Sequence, residues 1–135
     1  MSDDTVDFFW DERGLLRARS TSGHFTRLGS QLTSDIQTYA PDAVDLLACI
    51  DEVMSGQSPA AEFEGNSAVF HCGAGGVTVT SLGPSRDSTT YTFDEARTVV
   101  RRYLDFLAPT PDERRRHMTT WEKENGRPFP RPEWL

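Results

Sequence analysis

Lysine is almost missing from this chain. Of its 14 basic residues, 13 are arginine, and Lys123 is the exception. No apolar run approaches the roughly 20 residues that span a bilayer, so a membrane helix is not expected. The first residues, "MSDDTVDFFWDE", have neither the basic start nor the apolar stretch of a secretory signal. There are two cysteines, Cys49 and Cys72. In a chain without a leader these read as free thiols rather than a disulfide framework. Together these absences predict a cytoplasmic protein.

What is present is an ordinary globular composition: 135 residues, 26% charged, 36% hydrophobic and 10% aromatic. One domain of this length buries enough surface to fold without a staple. The net charge of −7 is unevenly placed. Residues 1–65 hold 12 acids against 4 arginines, a net of −8, and residues 66–135 hold 9 acids against 10 bases, a net of +1. An acidic half argues against nucleic acid, whose binding needs cations to release counterions. It fits a basic protein partner, and it equally serves solubility.

Local patterns predict the elements. "TVDFFWD" (5–11) and "LLRARS" (15–20) read as strands joined by the turn Glu12-Arg13-Gly14. "TSGHFTRLGS" (21–30), with two glycines, reads as a loop, and Ser30 as the cap of a short helix to about Tyr39. The helix over 41–55 places Ala43, Leu46, Leu47, Ile50, Val53 and Met54 on one side. Asp42, Asp45 and Glu52 fall opposite, with Asp51 on the edge, which predicts an acidic outer face. "EFEGNSAVFHC" and "GVTVTSL" read as two strands, and "TYTF" as a short strand or the start of a helix. Thr92 and Glu95 form a capping box for a helix to about Leu107. Thr110-Pro111-Asp112-Glu113 opens a last helix that ends near Asn125-Gly126. The tail "RPFPRPEWL" has three prolines and is expected to be extended. The predicted fold is α+β: an antiparallel sheet of about four strands in two hairpins, with helices on one face. Residues 1–108 form the domain, and 109–135 add a C-terminal helix and proline-rich tail docked on it.

Each chemical motif can be weighed in turn. "GAGG" (73–76) lacks phosphate-loop spacing and precedes a strand rather than a helix; it reads as a turn. His71 and Cys72 are adjacent on a strand, so they face opposite ways and cannot form a dyad. No CxxC, HxxH or HExxH occurs, so no metal site or cofactor is expected. The acidic helix face, with Glu62 and Glu64, is either a solvated surface or a partner surface. Trp121 and Trp134, outside any strong apolar stripe, either dock the tail or anchor a partner. "RRRH" (114–117) opposes the acidic half of this molecule or of a second copy.

The stretches "DFFWDERGLLRARS", "SGH", "IDEVMSG", "FEGN" and "TFDEARTVVRRYLDFL" together are similar to YacL-type small bacterial proteins. They also resemble small immunity proteins of contact-dependent inhibition and other polymorphic toxin systems. The likeness covers about residues 6–107, and the tail from Pro109 departs from it. It implies a non-enzymatic, stoichiometric role: binding a cognate toxin, of which the nucleases tend to be basic, and covering its active site. It carries over no catalytic residues. The expected contacts are Asp42, Asp45, Asp51, Glu52, Glu62, Glu64, Trp121 and Trp134, on a monomer or homodimer. A dimeric acidic secretion chaperone for an effector protein is the competing expectation.

Overall fold

The computed structural model describes residues 6–135. Two antiparallel sheets and four helices make an α+β fold. Strands β1 (Val6–Trp10) and β2 (Leu16–Ser20) pair with Phe8 opposite Ala18. Asp11 organises their turn: its Oδ1 accepts from the backbone N–H of Arg13 and of Leu15, at 2.8 and 2.9 Å. Helix α1 follows over Gly23–Asp35 and α2 over Ala40–Met54. Strands β3 (Ala61–Glu64), β4 (Ala68–Gly73), β5 (Gly76–Ser81) and β6 (Ser88–Tyr91) form a meander in that order. Helices α3 (Phe93–Leu107) and α4 (Pro111–Asn125) complete the body, and a single 3₁₀ turn (Pro132–Trp134) lies in the tail.

The cap-based expectations for the last two helices hold. Thr92 Oγ1 accepts from the Glu95 N–H, and Glu95 Oε1 accepts from the Thr92 N–H, at 3.0 and 2.9 Å. Thr110 caps α4 through its hydroxyl alone, which accepts from the Glu113 N–H at 3.2 Å, and Gly126 ends the helix in the left-handed region. The "GAGG" stretch is the β4–β5 turn. A Cβ on Gly76 (φ 122°) would sit 2.2 Å from the Tyr91 carbonyl oxygen, so only glycine fits there.

Three expectations are corrected. First, residues 21–30 are not a loop. Ser22 caps α1 by accepting from the His24 N–H at 3.1 Å, so the cap lies eight residues before the predicted one at Ser30. Gly29 is there for close packing: a Cβ would stand 2.9 Å from Val6 and 3.1 Å from Ala18 of the hairpin. Second, "EFEGNSAVFHC" is not one strand but the hairpin β3–β4. Its turn is pinned by Asp35 of α1, whose Oδ1 accepts from the Ser67 N–H and hydroxyl at 2.9 and 2.8 Å. Third, the N-terminal hairpin does not share a sheet with the others. It packs instead on α1 and α3, with Phe8 4.6 Å from the Tyr103 ring.

The core lies between the main sheet and the helices. Phe63, Phe70, Cys72, Val77, Val79 and Tyr91 point inward, and Leu28, Leu32, Leu47, Ile50, Val100 and Leu104 meet them, all buried. Burial of such side chains drives folding at about 25 cal/mol per Å² of apolar surface. Among the described residues no helix is long and apolar enough to cross a membrane.

Candidate protein-binding surface

The acids of α2 do not form an open face. α2 is buried around most of its circumference, because α4 and the tail cover the side that the sheet leaves free. Asp51 is 2% exposed, and its Oδ1 takes the Nε of Arg131 at 2.5 Å. Glu52 pairs with Arg127 at 2.5 Å. Asp45 accepts the indole N–H of Trp121 at 2.8 Å. Asp42 is half-buried; burial, then the nearby Asp45 and Glu124 charges, hold its carboxyl above the usual range. The expected acidic outer face is therefore an internal seam. An unpaired buried carboxylate is costly, and these arginines and the indole satisfy it.

Trp121 sits on the same seam, and Trp134 packs against α3. Trp121 is 1% exposed, so it is core rather than an exposed anchor. Trp134 is half-buried, with the guanidinium carbons of Arg97 and Arg131 at 5.1 and 5.8 Å from its ring centroid. Cation–π contact of this kind favours the docked geometry. Of "RRRH", Arg114 is buried and donates to the carbonyls of Ala108 and Leu135, and Arg115 pairs locally with Asp112. Neither reaches the acids of α2.

Glu62 and Glu64 lie elsewhere. They project from β3 onto the outer face of the main sheet, the opposite side from α2. That face carries two cross-strand rows. One is Glu62, His71, Thr78 and Thr90; the other is Glu64, Val69, Thr80 and Ser88. Both glutamates and His71 are exposed. His71 Nδ1 stands 3.1 Å from Glu62 Oε1, and the Thr78 and Thr90 hydroxyls are 2.8 Å apart. Such pairs stabilise a sheet by a few tenths of a kcal/mol each. The result is a largely polar platform on paired strands, with two carboxylates along its β3 edge. The sequence placed these carboxylates with those of α2, while the fold separates them across the sheet.

His71 and Cys72 face opposite ways as expected: the imidazole is exposed and the thiol is fully buried. Burial pushes the Cys72 thiol up to about 12, and raises Cys49 as well. Neither is set up as a nucleophile, which must be a thiolate near neutral pH. The His71–Glu62 contact was not foreseen. Its only signal was the two-residue alternation of both strands, which became a pairing once the turn at Gly65 was known.

No protein-family model, curated protein or solved structure matches the chain.

One of several open clefts lies along α3. This cleft, of about 300 Å³, is lined by Arg97, Arg101, Arg102 and Trp134. Its central cation is engaged: Arg101 donates to the carbonyls of Trp134 and Leu135 and to Asp105. Among the described residues, no group of three or more His, Cys, Asp or Glu side chains converges to hold a metal ion. Of the expected acidic contacts, Glu62 and Glu64 are the ones left exposed, and Glu62 is paired with His71.

Proposed function

We propose that this chain is a cytoplasmic, non-enzymatic binding protein, and specifically an immunity protein that holds a basic toxin domain and covers its active site. The observation that carries this reading is the outer sheet face, where exposed Glu62 and Glu64 line the β3 edge of paired strands, with His71 and Val69 and then threonines beside them. Complementary charge speeds encounter with a basic partner, and a face of paired strands loses little entropy on binding. The acidic composition and the likeness of residues 6–107 to immunity proteins support it. Charged residues on a short edge strand also prevent strand-on-strand aggregation, so the experiment must separate the two roles.

The test is a pull-down from native lysate with tagged chain at low and high salt, repeated with Glu62→Lys/Glu64→Lys. The expected result is one basic toxin domain at equal stoichiometry, inhibited by the wild type and released by the double variant. Retention of the same toxin by a folded double variant removes this face from the reading.

A secretion chaperone is the second reading. Trp10 (53% exposed) and Leu15 (49%) at the hairpin end favour it, because they offer apolar surface to a client. A dimer that captures unfolded secreted chains in the same pull-down is its signature.

A further inference from the structure

The segment after α4 is seated like a bound peptide. It leaves the helix at Gly126, whose left-handed backbone (φ 67°) breaks the α4 ladder. From there every second residue contacts the body. Arg127 pairs with Glu52 at 2.5 Å, and its guanidinium carbon lies 4.9 Å from the Trp121 ring centroid. Phe129 is 3% exposed and meets Trp121 edge-on at 5.4 Å, while its N–H donates to Glu122 Oε2 at 2.9 Å. Arg131 pairs with Asp51 at 2.5 Å. Pro128 and Pro130 occupy the positions between. Their fixed φ holds the chain extended, so little order is lost on seating.

Among the described residues, no main-chain to main-chain hydrogen bond ties residues 127–135 to the body. Residues 127–131 are held by side chains: two carboxylates of α2, the Trp121 ring and the Glu122 carboxylate of α4; the end of the tail is held separately by Arg101 of α3 and Arg114 of α4, which donate to the carbonyls of Trp134 and Leu135. A strand or helix would be woven into the fold, whereas this segment is laid on it. Glu52, Trp121 and Glu122 read an arginine, an aromatic ring and a free N–H in order, and Asp51 reads the second arginine.

We propose that this surface of α2 and α4 is a receptor for an Arg-Pro-aromatic-Pro-Arg segment of a basic protein partner, and that residues 127–131 are its resident intramolecular occupant. The inference goes beyond the sheet-face reading and shares no residue with it, so either can fail alone. A tethered segment acts at an effective concentration on the order of millimolar. An outside segment therefore gains the seat when the resident one is loosened, or when a partner brings a second contact.

The test uses the full chain and a fluorescein-labelled peptide, Gly-Arg-Pro-Phe-Pro-Arg-Pro, read by anisotropy, with a scrambled peptide of equal charge as control. Arg127→Glu/Arg131→Glu repels the resident segment from Glu52 and Asp51. It is expected to bind the peptide at least about tenfold more tightly than the wild type, because the intramolecular competitor is weakened. Adding Glu52→Arg should abolish the gain. Equal affinity of wild type and double variant, no binding to either, or equal binding of the scrambled peptide overturns the proposal. If circular dichroism shows the double variant unfolded, wild type at saturating peptide decides. Faster amide exchange at Phe129 and Arg131 supports displacement, and unchanged exchange there overturns it.

Discussion

The indole N–H of Trp121 on α4 donates to Asp45 Oδ1 on α2 at 2.8 Å, across 76 residues of sequence. This bond converts an acid that looks solvated into a fastener for the last helix. Trp121→Phe keeps most of the ring but removes the donor. It should cost about 1–3 kcal/mol, the usual penalty for a partly buried polar group left unpaired. Trp121→Ala also empties the pocket and should cost about 3–5 kcal/mol. Urea midpoints measure both. A phenylalanine variant as stable as the wild type would show that the hydrogen bond contributes nothing.

Gly65 and Asp35 are coupled by space. A Cβ on Gly65 would lie 2.4 Å from the Asp35 carboxyl carbon, and Asp35 is buried against the turn it pins. Gly65→Ala should therefore destabilise by about 1–3 kcal/mol through overpacking. Asp35→Gly removes both the carboxyl and the Asp35 Cβ, which would itself stand 2.5 Å from the new methyl, so the double variant should lose less than the sum of the singles, by about 1 kcal/mol. Strict additivity in thermal unfolding would place the strain elsewhere.

Glu95 should shape the acid limb of stability. The Thr92 backbone N–H, and less strongly His24, hold its carboxyl below the usual 4.5. A depressed folded pKa means stability that is complete above the unfolded value and lost as pH falls through the folded one. The loss begins below about pH 5 and continues under pH 4.5. The group is partly exposed, so the contribution is a few tenths of a kcal/mol to about 1 kcal/mol after solvent screening. Glu95→Gln should flatten stability against pH in that window, and an unchanged profile would remove Glu95 from the acid response.

The thiols should be silent in the folded state. Cys49 and Cys72 are buried and free, and burial disfavours both thiolates. At pH 8 a disulfide reagent should label neither at a rate near that of an exposed cysteine, and both in denaturant. Rapid native labelling of Cys72 would contradict its place in the core.

Reversing Glu62 and Glu64 should leave stability within about 0.5 kcal/mol, as for other exposed positions, while slowing partner association and lowering its salt dependence. Asp45 and Glu52, which the sequence offered as equals, should behave differently. Their reversal loosens α4 and the tail, so a fall in melting temperature would accompany any change in binding.

What could be read from the chain alone was whatever a few neighbouring residues decide. The box Thr92–Glu95, the Thr110-Pro111 start and the Gly126 stop are hydrogen bonds and backbone preferences within one turn. Both helices accordingly appear where their caps put them. The "GAGG" turn and the opposite facing of His71 and Cys72 follow from strand geometry in the same way. Other features needed partners that sequence distance conceals. Gly29 looked like a loop residue because its reason, the methyl groups of Val6 and Ala18, belongs to another element. The turn at Gly65 was hidden because Asp35 holds it from α1. The α2 acids looked solvated because Arg127 and Arg131 meet them from 75 and 80 residues away. Whether a charge faces water or an arginine is a property of packing, and only the tertiary structure decided it.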